Sequence, residues 1–371
     1  MDLSYFLDRF PEPWILAGGG MLVGIVFGAF AQQSRFCLRA AVIEFAHGKV
    51  GSKLAVWLLA FSSAVLGTQA LIFFANTPLS EARQLASPQS LSGAALGGLM
   101  FGSGMILARG CASRLLVLSA TGNLRALLSG LVFAVVAQAS LRGFLKPVRE
   151  WIAGGFTTTD IGGNDLIQMT GATTAIVMAF AAIWLIAGIY VAVRSGAAPW
   201  RSVAGVIAGL AVPLAWWFTA SMAGQAFDPV QTEAVTFTGP SADTLMLFLS
   251  PPGSGIDYDV GLVPGVFLGS FLAALLTREL KIQGFEGGLS MRRYLIGASL
   301  MGFGGMLAGG CAVGAGVTGA SIFALTAWVT LSAIWLAAAI TDRIVDRPPQ
   351  WSNRGVPAEG ATEVGLTRVA G

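Results

Sequence analysis

Apolar runs of ~20 residues recur along the chain, parted by short stretches rich in Gly, Arg and Lys. At 1.5 Å rise per residue, a helical run of that length crosses the ~30 Å hydrocarbon core of a bilayer. Nine runs meet the length, at 14–30, 55–75, 91–108, 124–141, 174–193, 203–220, 262–276, 294–308 and 321–340. Two polar segments interrupt the series, 154–173 and 224–261, and the second contains a short apolar run with the look of a surface helix. The last residues, rich in Gly, Pro and charge, read as a mobile tail. The expected organisation is one transmembrane domain over 1–341, with repeat halves near 14–145 and 203–341, and a flexible tail over 342–371.

Composition agrees with this reading. Of 371 residues 55% are hydrophobic and only 11% charged, with a mean hydropathy of +0.73, which excludes an ordinary soluble domain. The predicted class is therefore an all-α integral membrane protein of about nine transmembrane helices, a lipid bilayer being its solvent. The start carries Asp2, Asp8 and Glu12 against Arg9, not the basic leader of a cleavable signal, so the first helix is expected to stay. Cations fall beside alternate ends of the runs: Arg35, Arg39, Lys49 and Lys53 after the first, Arg109, Arg114 and Arg125 after the third, Arg194 and Arg201 after the fifth, and Arg278, Lys281, Arg292 and Arg293 after the seventh. By the positive-inside rule these ends face the cytoplasm, which puts the N-terminus outside and the C-terminus inside. Arg142, Lys146 and Arg149 stand against that pattern. The net charge of +3 is explained by insertion and gives no reason to expect nucleic acid.

Internal similarity gives the strongest signal. A shift of 200 residues lays Gly102, Gly104, Leu107, Ala108, Gly110, Cys111 and Ala112 on Gly302, Gly304, Leu307, Ala308, Gly310, Cys311 and Ala312, seven identities in eleven positions. The third cysteine of the chain, Cys37, follows Gly24 and Gly28 by the same thirteen and nine residues that separate Cys111 from Gly98 and Gly102. A fourth, degenerate copy runs from Gly265 and Gly269 to Arg278 at the cysteine position. Glycines four apart share a helix face and let backbones approach, so packing alone accounts for them. Packing does not account for "ARGCASR" and "AGGCAVGAG", which place Gly and charge where a spanning helix should continue. Irregular backbone at membrane depth must be buried in protein or line a wet cavity, and broken helices of this kind mark transport sites. Each motif reads as a helix that stops, a cysteine at the break, and a short helix (38–45; 112–119) whose first amides attract an anion.

A single apolar cysteine is ordinarily a small buried hydrophobe, and three isolated ones form no Cys-x-x-Cys couple. Three in one local frame, with no other cysteine in the chain, point instead to a shared task. A neutral thiol is a weak, polarizable donor, suited to a sulfur-bearing anion that must be held loosely and passed on. Arg39, Arg114 and Arg278 are secondary candidates for drawing the anion in, and equally serve as positive-inside residues. No phosphate-binding loop, zinc cluster or Rossmann strand is present, and the lone histidine, His47, beside Gly48 and Lys49, reads as interfacial. No cofactor is expected. Neither is an enzyme, although a cysteine beside arginine leaves open a sulfurtransferase that forms a persulfide. A soft-metal pathway fits less well, because the motifs hold no Met or carboxylate ligands at the breaks.

With these motifs, "SRFCLRA", "ARGCASR" and "AGGCAVGAG", each after a Gly-rich helix, the chain resembles the YeeE/YedE family of bacterial inner-membrane sulfur transporters over roughly 14–340. The resemblance implies uptake of thiosulfate through a compact, pseudo-symmetric helical fold with short broken or re-entrant helices. It implies that the pore cysteines are Cys37, Cys111 and Cys311, supported here by Gly28, Gly102, Gly110, Gly302 and Gly310. It also implies a small TusA-like cytoplasmic sulfur carrier as partner; relatives tied to other sulfur species and to selenium leave the substrate open.

Overall fold

The computed structural model describes residues 4–7, 9–251, 255–285 and 288–345. The expected tail lies almost wholly outside them. Nine helices among the described residues are long and apolar enough to cross a membrane. They are α1 (Glu12–Ser34), α2 (Ser52–Ala75), α3 (Leu91–Leu107), α4 (Leu124–Leu141), α5 (Thr174–Arg194), α6 (Pro199–Ala223), α7 (Tyr258–Leu276), α8 (Gly288–Leu307) and α9 (Leu325–Val345). The protein is a multi-pass, all-α membrane protein. Helix starts follow local chemistry: Ser90, Asn123 and Asp257 each accept a backbone N–H as N-caps of α3, α4 and α7. Glu44 reaches across a turn to take the free amides of Lys53 and Leu54 at the start of α2, at 3.1 and 2.9 Å.

Glycine decides which helices touch. A Cβ on Gly20, Gly24 or Gly28 would run into the backbone at Tyr258, Leu262 or Val266, so α1 and α7 lie side by side and parallel, close enough that only glycine fits. Gly97 and Gly104 on α3 meet Gly304 and Gly297 on α8 in descending order, so that pair is antiparallel. Gly98 and Gly102 meet Thr330 and Ile334, which sets α9 parallel to α3. These directions are those of nine spans in strict alternation. The seventh ends on the same face as the first, and the eighth returns.

Two faces follow. The N-terminal face gathers the start of α1 with the segment after α6, where Glu12 accepts from the amides of Phe227 and Asp228. It also holds the polar stretch 154–173, tied to α9 by Asn164 through Thr326. The opposite face joins Gln32 to Glu279, Asn123 to Gln283 and His47 to Asp342. The three cations that contradicted the charge pattern are on the N-terminal face, and each has a carboxylate: Arg142 with Asp243, Lys146 and Arg149 with Glu150.

Two expectations change. The ninth run was placed at 321–340, but Ser321 closes the preceding break, Phe323 turns with φ 56°, and α9 begins only at Leu325. The apolar run inside 224–261 forms a helix, Thr238–Leu247, packed on α4 and α7, with Pro240 and Ala242 buried.

Candidate functional site

The three cysteines occupy one backbone device. Each is the N-cap of a short helix: Cys37 of Leu38–Ala46, Cys111 of Ala112–Ala120, and Cys311 of the π-helical segment Ala312–Thr318. Two residues earlier, Arg35, Arg109 and Gly309 adopt φ of 56°, 56° and 75°, the left-handed turn that ends the long helix and breaks it. Glycine takes that conformation freely, whereas the two arginines do so under strain. The Cys311 sulfur accepts from the Gly314 N–H at 3.3 Å. At Cys37 and Cys111 the corresponding amides, Ala40 and Arg114, also face the sulfur.

Arg278 belongs to this series at a different position from the one expected. Its φ of 57° aligns it with Arg35 and Arg109, not with the thiols, because α7 runs two residues further past its glycines before it turns. Leu280 then stands at the cysteine position. Arg278 is exposed, and the chain after it pairs with Thr121 and Gly122 instead of starting a short helix.

The cysteines divide into two stations. Cys37 and Cys111 face each other in the half of the bundle nearer the opposite face, with Ser113 Oγ 3.4 Å from the Cys111 sulfur. Both Arg114 and Arg39 lie near enough to act electrostatically on Cys37, and Arg114 keeps a buried Nη1 with no hydrogen-bond partner. Cys311, at the end of the antiparallel α8, lies in the half nearer the N-terminal face. Its segment is braced by Thr318, whose hydroxyl donates to Val235 O at 2.6 Å, and by Ser321, which accepts from Trp216 Nε1 and whose carbonyl accepts from Gln69.

The two stations lie toward opposite faces of the bundle. Between them runs a chain of rings: Phe237, whose backbone meets the Cys311 sulfur, packs on Phe27 at 5.3 Å, and Phe27 on Phe36 at 6.3 Å, next to Cys37. Cys111 and Cys311 are each 1% exposed, so the arrangement is closed. The supporting glycines are contact points: Gly28 against Val266, Gly102 against Ile334, Gly302 against Phe133, and Gly310 against Ala315 of the turn that follows its cysteine. Gly110 is looser, with Leu115 at 3.3 Å from an added Cβ.

Sequence reasoning missed a buried partner segment. Residues 234–238 are buried in the core and set Phe237 against Cys311, Thr236 against Gly314 and Thr238 against Gly305. The sign was there in "TEAVTFTG", an alternation of apolar residues and threonines inside a segment read as an outer loop with one short surface helix.

Residues 33–340 match the family described as sulphur transport. The thiosulfate transporter TsuA of Escherichia coli (strain K12) is 26% identical over 84% of this chain and 90% of its own length. That of Spirochaeta thermophila is 26% identical over 84% and 93%. With a family match that spans all three cysteine breaks, the whole of α2 to α8 and most of α9, the chain belongs to the sulphur transport (YeeE/YedE) family.

Proposed function

We propose that the chain imports thiosulfate across a bacterial inner membrane, with the N-terminal face outside, through transient hydrogen bonds from the thiols of Cys311, then Cys37 and Cys111. The observation that carries this reading is the shared frame of the three sulfurs, each at a helix start with an amide three residues on turned toward it. An N–H array of this kind favours negative charge, and a neutral thiol adds a weak donor that does not trap it. Arg114 and Arg39 at the inner station offset the charge of the anion before release. The orientation is supported by the paired state of the cations on the N-terminal face and the surplus of Arg and Lys on the other. Two relatives named as thiosulfate transporters support the substrate. A TusA-like carrier fits the receiving side.

The test is uptake of labelled thiosulfate into liposomes holding the purified chain, with sulfate and selenite as competitors. A variant with all three cysteines changed to Ala is expected to insert and fold but not to transport; normal uptake by it rejects the relay. The position of Cys37 beside two guanidiniums favours one further reading, in which its thiolate attacks the outer sulfur of thiosulfate, the S–S bond breaks with sulfite as leaving group, and the persulfide sulfur passes to the carrier. Mass spectrometry after incubation with thiosulfate separates the two, since the relay leaves the thiols without added sulfur.

A further inference from the structure

Thiosulfate carries two negative charges, and a bilayer held 100 mV negative on the receiving side opposes each by ~50-fold, or about 2.3 kcal/mol. A dianion faces ~2,000-fold, so uptake needs a compensating cation. The arginines of the inner station are fixed in place and compensate nothing across a full cycle.

On the N-terminal face a cavity of about 230 Å³ opens beside the start of α7, lined by Glu12, Asp228, Glu233, Asp257 and Tyr258. Next to it Asp259 and Asp243 both approach Gly239, within 3.6 and 4.0 Å of where its Cβ would be. The cations facing this group are Arg83, and Arg142 at 3.9 Å from Asp243. Carboxylates therefore outnumber cations here, at the mouth of an anion path. Three buried polar atoms in the same place have no partner: Tyr258 Oη, Asp259 Oδ1 and Thr238 Oγ1, on residues 1%, 9% and 1% exposed. Unpaired polar atoms at that depth are costly unless a proton or a ligand visits them. No group of three His, Cys, Asp or Glu among the described residues could hold a metal ion.

The cluster is wired to the outer thiol. Glu233 is clamped by Thr219, which donates to its carbonyl at 2.6 Å and accepts from its amide at 3.2 Å. Four residues of chain lead from it to Phe237, whose backbone meets the Cys311 sulfur. At ~3.3 Å per residue the two backbones are at most ~13 Å apart. A charge at that distance opposes a unit anion at Cys311 by roughly tenfold at an effective dielectric of 20.

We propose that Glu233, with its carboxylate neighbours Asp257 and Asp259, is the loading site for a proton that travels with the anion, making uptake proton-coupled. This rests on the thiosulfate reading above. Protonation of Glu233 removes a charge that repels the anion, and release of both on the other side resets it. Burial pushes the Glu233 carboxyl up to about 7, against the pull of Arg83 and with the help of Asp257 and Asp243. Asp243 and Asp257 are themselves raised, chiefly by burial. The carboxyl therefore holds its proton below about pH 7 and loses it above, so loading improves as the outside acidifies.

The experiment uses the full chain in proteoliposomes with the membrane potential clamped. A one-unit gradient, acid outside, is expected to raise accumulation of labelled thiosulfate about tenfold per coupled proton. A pH dye trapped inside should acidify when thiosulfate is added. Glu233→Gln should lose both responses yet keep thiosulfate–thiosulfate exchange. Asp257→Asn, which removes one like charge and keeps the helix cap, should move the pH profile of uptake to lower pH. Gradient-independent uptake by the parent without dye response overturns the inference, as does a Glu233→Gln variant that still accumulates with the gradient. Absence of thiosulfate exchange by the parent protein rejects the transport reading itself, a separate result.

Discussion

Arg114 offers the sharpest test of whether charge at the inner station handles the anion or only orients the protein in the membrane. Its Nη1 is buried without a partner, and its guanidinium acts on Cys37. A hydrogen bond from a charged donor to an anion contributes about 1.5–3 kcal/mol. Loss of that contact in Arg114→Gln corresponds to a fall of ~10- to ~150-fold in the kcat/KM of uptake. Arg114→Lys keeps the charge but not the planar fork, and should fall between the two. Arg35 provides the control, since it flanks the same station but is 57% exposed and already held by Glu279 at 3.4 Å. A surface pair of that kind is worth about 0–1 kcal/mol, so Arg35→Gln should lose less than about fivefold. Initial rates of labelled thiosulfate uptake at matched protein density read all three. If Arg114→Gln and Arg35→Gln are affected equally, the arginine beside the thiols is a topogenic residue and the electrostatic part of the mechanism is wrong.

Single Cys→Ala changes at 37, 111 or 311 should each lower uptake more than tenfold without loss of membrane-inserted protein, an effect on the scale of a hydrogen bond to an anion; immunoblots of membranes beside uptake rates check this. Gly28→Ala puts a Cβ 2.8 Å from the Val266 Cα, so α1 and α7 must part, and thermal unfolding in detergent should register a loss of about 1–3 kcal/mol. Glu44→Ala leaves the amides of Lys53 and Leu54 open at the start of α2, for which about 0.5–2 kcal/mol is expected in the same assay, with the spans unchanged by circular dichroism.

The helices were legible in the sequence because lipid imposes a length: nine apolar runs are nine crossings, and only their ends shift. The cysteine frame was legible because three copies share glycine spacings that the backbone enforces. The break itself was less so. Left-handed turns at Arg35, Arg109 and Arg278 use residues that rarely adopt them, and identity-based alignment set Arg278 against the thiols where the backbone sets it against the other two arginines. The segment 232–238 was hidden for a different reason. It is buried through contacts with Thr219, Thr318 and Gly314, all distant along the chain, and its alternation of apolar residues and threonines does not by itself tell a buried segment from an exposed loop.

The antiparallel setting of α3 and α8 has a consequence for direction. Cys111 and Cys311 end equivalent helices that point to opposite faces, so each face presents the same elements: a left-handed turn, a thiol and the first amides of a short helix. Binding at two such stations is close to symmetric, and a symmetric path moves its substrate equally well both ways. Direction has to come from what the repeat does not duplicate. On one side stand Arg114 and Arg39 beside the thiols, and on the other Glu233 and its neighbouring carboxylates, four residues of chain from the thiol. A cationic end favours the bare dianion, whereas an acidic end admits it only when protonated. In the proton-coupled scheme proposed above, anion and proton enter together at the acidic face and are both released at the cationic one, so the sign of the pH gradient sets which way the net flow runs.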